Sequence, residues 1–353
     1  MKMRTFFILL SIASFLTSSA QDNYLKQWRR IDSLLQQEGL SETAGKEVEA
    51  ILKTARSTNN QAQVIKALQY KMSIDMLKRE NALEASIARF EAELKTAKQP
   101  GRSVIQSLLA ETYWNYLQQN RYRLYDLSNI PSGERDELTS LSLEQLTGKI
   151  RQFFLQSISQ ADQLQHTPVS KFDAIIEKGN ARKYRPTLFD LLAFRALEYF
   201  RNDEASVSRP ATAFRIDDKR YFDPAQLFAG LSLKPVDSSS NAFFALKIYQ
   251  QLLSFHKADE DASAYIDADI NRISFVYQQS NLPEKDSLYT SALKHIYTTS
   301  SNQPAADQAA YQLAEYYAQL ASGYDPVTDT SNRTAYTIAL ELAEKIIAAN
   351  RKS

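Results

Sequence analysis

From residue 24 onward, large apolar residues recur at spacings of three and four, interrupted by short polar stretches. Tyr24, Trp28, Ile31 and Leu34/Leu35 form the first stripe, which ends near Gly39. Val48, Ile51 and Leu52 begin a second, and Val64, Leu68, Met72 and Met76 a third. Leu83, Ile87, Phe90 and Leu94 follow until Pro100 and Gly101 break the pattern, and Ile105, Leu108/Leu109, Tyr113 and Tyr116/Leu117 resume it. Such periodicity predicts amphipathic helices, and short connections predict antiparallel packing of neighbours. After a polar break at 128–137, Leu143, Leu146, Ile150, Phe153/Phe154 and Ile158 predict another helix.

The pattern fails only over 201–241, a stretch with three prolines and no sustained period. It nevertheless carries Phe214, Tyr221, Phe222, Leu227, Phe228 and Leu231, too many large apolar groups for a free linker. It reads as an ordered loop laid across a helical surface. Helical spacing returns with Phe244, Ile248, Leu252 and Phe255, then Tyr265/Ile266, Ile270, Ile273 and Tyr277, then Leu288, Leu293 and Ile296/Tyr297. The last eighty residues predict a helix pair in which Ala310, Ala314 and Ala318, then Ala335, Ala339 and Ala343, recur every fourth position. They sit beside Tyr311, Leu313, Tyr317 and Leu320, then Ile338, Leu342 and Ile346. Small residues beside large ones at helical spacing let two helices approach closely, as in tetratricopeptide-type repeats, although no fixed period runs through the chain. The expected class is all-α: a divergent tetratricopeptide-like helical repeat array, α-solenoid-like, with one long irregular ordered insertion. It divides into a leader (1–20), a helical part (21–200), an irregular connector (201–241) and a second helical part (242–353).

Composition agrees with helices, since only 8 glycines and 10 prolines occur in 353 residues. Lysine plus arginine is 42 against 41 acidic residues, so no net field favours nucleic acid or an anionic membrane surface. Lys2 and Arg4, the apolar stretch Phe6 to Leu16, and Ser18 and Ala20 before Gln21 make the three-part pattern of a secretory signal peptide cut between Ala20 and Gln21. The chain contains no cysteine. Disulfides, thiolate zinc sites, cysteine nucleophiles, internal thioesters and lipoprotein acylation are therefore excluded. The exported protein is expected in the periplasm, cell envelope or medium, with no stable membrane insertion.

Candidate chemistry is sparse. His166, His256 and His295 lack metal-ligand spacing, and no phosphate-binding, dinucleotide or hydrolase motif occurs. Asp267, Asp269 and Arg272 read as helix-surface charges, the two carboxylates diverging in direction. Asp261 or Ser263 reads as an N-terminal cap. The interleaved bases and aromatics of "NRYRLYDL" (120–127) could stack on sugar rings, with core packing as the ordinary alternative. No catalytic, cofactor-binding or metal-binding residue is assigned, and no cofactor is expected.

The densest stretch is "ARKYRPTLFDLLAFRALEYF" (181–200). Pro186 suits the first position of a helix, and Arg185 before it is pushed towards extended geometry. The following helix is apolar most of the way round, with Leu188, Leu191/Leu192 and Tyr199 on one side and Phe189, Ala193, Ala196/Leu197 and Phe200 on another. That pattern predicts burial between neighbours rather than an open ligand platform.

This stretch, with "LLAETYWNYLQQNRYRLYD" (108–126), "RPATAFRIDDKRYF" (209–222) and 245–276, resembles the N-terminal helical segment of exported Bacteroidetes proteins of the bacterial α2-macroglobulin-like family. The likeness spans nearly the whole chain after the leader and transfers no functional residue. In that family the helical segment precedes macroglobulin β-sandwiches, and some members trap proteases through a Cys-x-Glu-Gln thioester. This chain has neither the cysteine nor a run of alternating strands. The resemblance implies a non-catalytic helical-repeat protein that binds protein partners, macroglobulin domains encoded downstream among them. The alternative is a glycan-binding helical protein like the SusD-type receptors, which carry the lipid-anchoring cysteine missing here.

Overall fold

The protein's computed structural model describes residues 23–36, 39–127, 138–179, 181–202, 214–234, 240–327 and 330–349. The leader at 1–20 lies outside the described residues. The chain is all-α: the described residues contain no strand, and their one isolated bridge joins Pro168 to Thr187. Two compact units divide it, residues 1–153 with 170–177 and residues 154–169 with 178–353.

In the first unit, α1 (23–36), α2 (Ser41–Ser57), α3 (Gln61–Met76), α4 (Ala82–Leu94) and α5 (Gly101–Gln119) follow one another with short links. α6 (Arg121–Leu127) and the first part of α7 (Leu143–Ile158) complete its helices. The stripes face inward except at the end of the third, where Met76 is 46% exposed and Ile65 and Ile74 supply the buried face instead. Trp28, Ile31, Val48, Ile51, Leu68, Ile87, Phe90, Leu109 and Tyr116 are all buried, and successive helices from α2 to α5 pack pairwise. Gly39 sits at φ +62, a left-handed turn between α1 and α2 that disfavours a side chain. The break at 98–101 is equally specific. Gln61 accepts the Gly101 N–H at 3.0 Å and donates to the Lys98 carbonyl at 3.1 Å, so a β-carbon at Gly101 would meet Gln61 at 3.0 Å. At the α1–α3 seam the Trp28 indole N–H donates to Gln63 Oε1 at 2.7 Å, and its ring lies 4.5 Å from that of Tyr70.

The second unit holds α8 (Ala161–Gln165), α9 (Leu188–Phe200), α10 (Ala225–Ala229), α11 (Asn241–His256), α12 (Ser263–Gln279), α13 (Lys285–Thr299), α14 (Asp307–Ala321) and α15 (Ala335–Ala349). α9 packs on α11, and each helix from α11 to α15 packs on the next. α9 is buried round most of its girth, with Leu188, Phe189, Leu192, Ala193, Ala196, Leu197, Tyr199 and Phe200 all inside. Its start corrects the expectation for Pro186. Thr187 is the N-cap, and Leu188 is the first helical residue. Thr187 Oγ1 accepts the Asp190 N–H while Asp190 returns a carboxylate oxygen to the Thr187 N–H, a reciprocal capping box. Pro186 stays outside the helix, where its carbonyl accepts the Val169 N–H at 3.1 Å. The box satisfies the orphan amides better than a proline can, so it sets the start.

The segment at 214–234, expected to be wholly irregular, lies within this unit and holds the short helix α10 and a helical turn at Lys219–Phe222 between irregular stretches; it is ordered, as its apolar content requires. Ile216, Tyr221, Phe222, Phe228 and Leu233 are buried. Residues 203–213 and 235–239 fall outside the described residues.

Candidate functional site

Irregular backbone that is buried must place its carbonyls somewhere. Here two side chains from helices take four of them. Gln250 on α11 donates to the Phe228 and Leu231 carbonyls at 2.9 and 2.8 Å. Arg272 on α12 donates to the Tyr221 carbonyl and, at 2.9 Å, to that of Asp223. The same guanidinium pairs with Asp269 at 2.5 Å and stacks over the Phe228 ring at 4.4 Å. Arg272 is 0% exposed, so Asp269 and Arg272 are not the helix-surface charges that their spacing suggested. They form a buried pair because the segment at 214–234 covers that face of α12 and needs donors.

A second buried cluster surrounds the start of α9. His256, at the C-terminus of α11, places Nε2 2.7 Å from Asp190 Oδ1 and Nδ1 2.7 Å from Asp259 Oδ2. The His256 and Asp190 side chains are each 1% exposed. Burial alone would depress the imidazole pKa and is the largest single influence. The hydrogen bonds and negative charges of Asp190 and Asp259 together outweigh it and raise the pKa above the ordinary value. Both ring nitrogens face carboxylate oxygens, an arrangement that favours the protonated ring, which has a donor for each. The other oxygen of Asp190 accepts from the Thr187 N–H and hydroxyl, each at 2.8 Å.

Next to this cluster, Arg185 pairs with Asp267 at 2.5 Å and lies over the Phe194 ring. Burial raises the Asp267 pKa, Arg185 opposes that rise, and the charge of Asp190 adds to it. Asp267 and Asp269 thus diverge to different partners, as their two-residue spacing implied. The Arg185 partner is on a distant helix, α12. Asp261 accepts the Ser263 N–H at 2.9 Å, capping α12 from one residue outside the assigned Ala262 cap. That bond lowers its pKa.

These groups could be mistaken for chemistry, and their geometry tells what they do. A general base needs a free lone pair and a substrate within reach. His256 has both nitrogens engaged and almost no exposure, while Asp190 and Arg272 spend their hydrogen-bonding groups on helix ends and backbone carbonyls. No group of three or more histidines and carboxylates among the described residues could hold a metal ion. His166 and His295 are exposed on α8's end and α13. The sequence exposed the i, i+3 relation of His256 and Asp259 but gave no sign of Asp190, 66 residues away.

In the first unit, a pocket of about 250 Å³ opens where α3 and α5 begin. Val64, Ile65 and Ile105 form its apolar wall, with Arg56, Glu93 and Lys98 among its polar lining residues. Arg56 and Glu93 are paired at 2.5 Å, and no aromatic ring lines the pocket, so it offers no stacking platform for a sugar. Within "NRYRLYDL", Tyr122 is 90% exposed, whereas Leu124 is buried and Arg123 donates to the Tyr116 hydroxyl at 2.7 Å. The stretch is divided between core and surface.

A different feature stands at α15. Ala335 and Ala339 are buried against α14, yet Tyr336 is 67%, Leu340 51% and Ile347 76% exposed. Tyr311 on α14 is 49% exposed as well. The class defined by the fold and these sites is an all-α array of packed helices whose buried ionic groups serve as fasteners. Compared with protein-family models, curated proteins and solved structures, the chain matches none. No helix among the described residues is long and apolar enough to cross a membrane.

Proposed function

We propose that this is an exported, non-catalytic helical-repeat protein that binds protein partners. One observation carries the reading. The buried titratable groups His256, Asp190, Asp269 and Arg272 are engaged in holding helix ends and an irregular segment, which leaves shaped surface as the array's contribution. Stacked helix pairs supply extended contact surface, the usual working part of such architectures. The export half of the reading rests on the leader pattern of residues 1–20, and the relation to α2-macroglobulin-like proteins on the sequence blocks at 108–126, 181–200, 209–222 and 245–276.

Two measurements test it. N-terminal sequencing of the protein from the cell envelope or medium should begin at Gln21. Tagged protein incubated with envelope extract should retain one or a few proteins in stoichiometric, saturable amounts, whereas recovery of none would count heavily against partner binding. Glycan-array binding with no protein retained would favour the SusD-like alternative.

A further inference from the structure

α15 packs on α14 with one side and shows a second apolar side to solvent. On a helical projection its buried side is centred near Ala335, Ala339, Leu342 and Ile346, and its charged side carries Glu341 and Lys345. About a quarter-turn from the α14 contact runs a second apolar stripe of exposed Tyr336, Leu340 and Ile347, with half-buried Ala343 at its edge towards α14. The spacings of four, three and four are those of a seam that meets another helix. Contiguous exposed apolar surface of this kind marks an interaction site.

The pattern along the stripe identifies what covers it. Counted from Leu340, the apolar positions lie four before, three after and seven after, and Arg333 lies seven before, in the turn that leads into α15. The series reads almost the same in both directions. An antiparallel copy of α15 with its two-fold axis at Leu340 therefore brings like positions into register. Leu340 meets Leu340, Tyr336 lies over Ala343 of the second copy, a large side chain against a small one, and Ile347 meets the aliphatic stem of Arg333. The exposed charges match too. Glu344 of one copy falls beside Thr337 of the other, towards Arg333 in the turn that precedes α15, while the two Glu344 side chains are about 12 Å apart axially. A parallel copy would set Glu344 against Glu344. We infer that α15 is the self-association surface of this protein, covered by α15 of a second copy in an isologous, antiparallel pair.

The inference goes beyond partner binding and can fail without it. The chain has no cysteine, so Leu340→Cys introduces a single thiol, placed on the expected axis. Under mild oxidation this variant should form a disulfide-linked dimer far faster than Leu77→Cys, a control at a position 70% exposed in the first unit. In sedimentation equilibrium the unmodified protein should show a concentration-dependent dimer, and Leu340→Glu should be a monomer with an unchanged circular-dichroism spectrum. Arg333→Glu and Glu344→Arg should each weaken association about fivefold, from two like-charge contacts per dimer, and the double variant should restore it. A protein that stays monomeric at all concentrations, a dimer that survives Leu340→Glu, or equal cross-linking at positions 340 and 77 overturns the inference. A monomer that still retains an envelope protein would sink the dimer and leave the partner reading standing.

Discussion

α9 (LFDLLAFRALEYF) and α15 (AYTIALELAEKIIAA) are both strongly apolar helices, and the protein treats them oppositely. α9 is enclosed, with Phe189 and Leu188 at 0% exposure, while α15 buries one side and shows Tyr336, Leu340 and Ile347 to solvent. Apolar content makes a helix need cover but does not say which chain supplies it. α9 sits between elements of its own unit, and its start is locked by the capping box and His256. α15 packs on α14, and its remaining stripe has the spacing of a seam.

The comparison predicts a graded set of effects. Phe189→Ala should be the most costly, destabilising by about 3–5 kcal/mol through lost burial and a cavity beside the Phe255 ring, read as a fall in urea midpoint. Arg272→Met should follow at about 3 kcal/mol, because Asp269 is left as an uncompensated buried charge and two carbonyls lose their donor. Its distinguishing signature is local: hydrogen exchange should accelerate across 214–234 beyond the rise seen in α9. At the mild end, Arg182→Ala should change the midpoint by about 0.5 kcal/mol or less, since half-exposed surface changes away from caps are usually of that size.

The His256 cluster adds a pH dependence whose sign is fixed by its raised pKa. The folded protein holds this proton more tightly than the unfolded chain, so the stabilisation is complete below the unfolded value of about 6.5 and is lost as pH rises through the folded pKa. Unfolding free energy measured by urea from pH 6 upward should therefore decline over that interval. His256→Gln should flatten the decline. A profile that stays the same in the variant would assign the pH dependence to other groups, among them half-buried Asp267, whose pKa is also raised.

Much of the fold is legible in the sequence, because helical periodicity is a local property. The stripes at 24–35, 83–94, 105–117 and 244–255 are the buried faces of α1, α4, α5 and α11. Even the irregular segment announces its order through Tyr221, Phe222 and Phe228. What spacing hides is partnership at a distance. Asp269 and Arg272 look like an ordinary surface i, i+3 pair until the carbonyls of Tyr221 and Asp223, some fifty residues earlier, are brought over them. The capping role of Thr187 is readable as T-x-x-D, but a proline one residue earlier draws attention to the wrong start. The exposed stripe of α15 is hidden for the opposite reason. A sequence pattern marks an apolar face without saying that nothing among the described residues of its own unit covers it.

The claim that these two helices differ in kind is tested most directly by comparing Phe189→Ala with Leu340→Ala in urea melts of dilute protein, where any dimer is dissociated. Phe189→Ala should lose several kcal/mol, and Leu340→Ala should stay within about 0.5 kcal/mol of the unmodified protein. Comparable losses for the two would contradict the account, because they would place Leu340 in a core of its own chain.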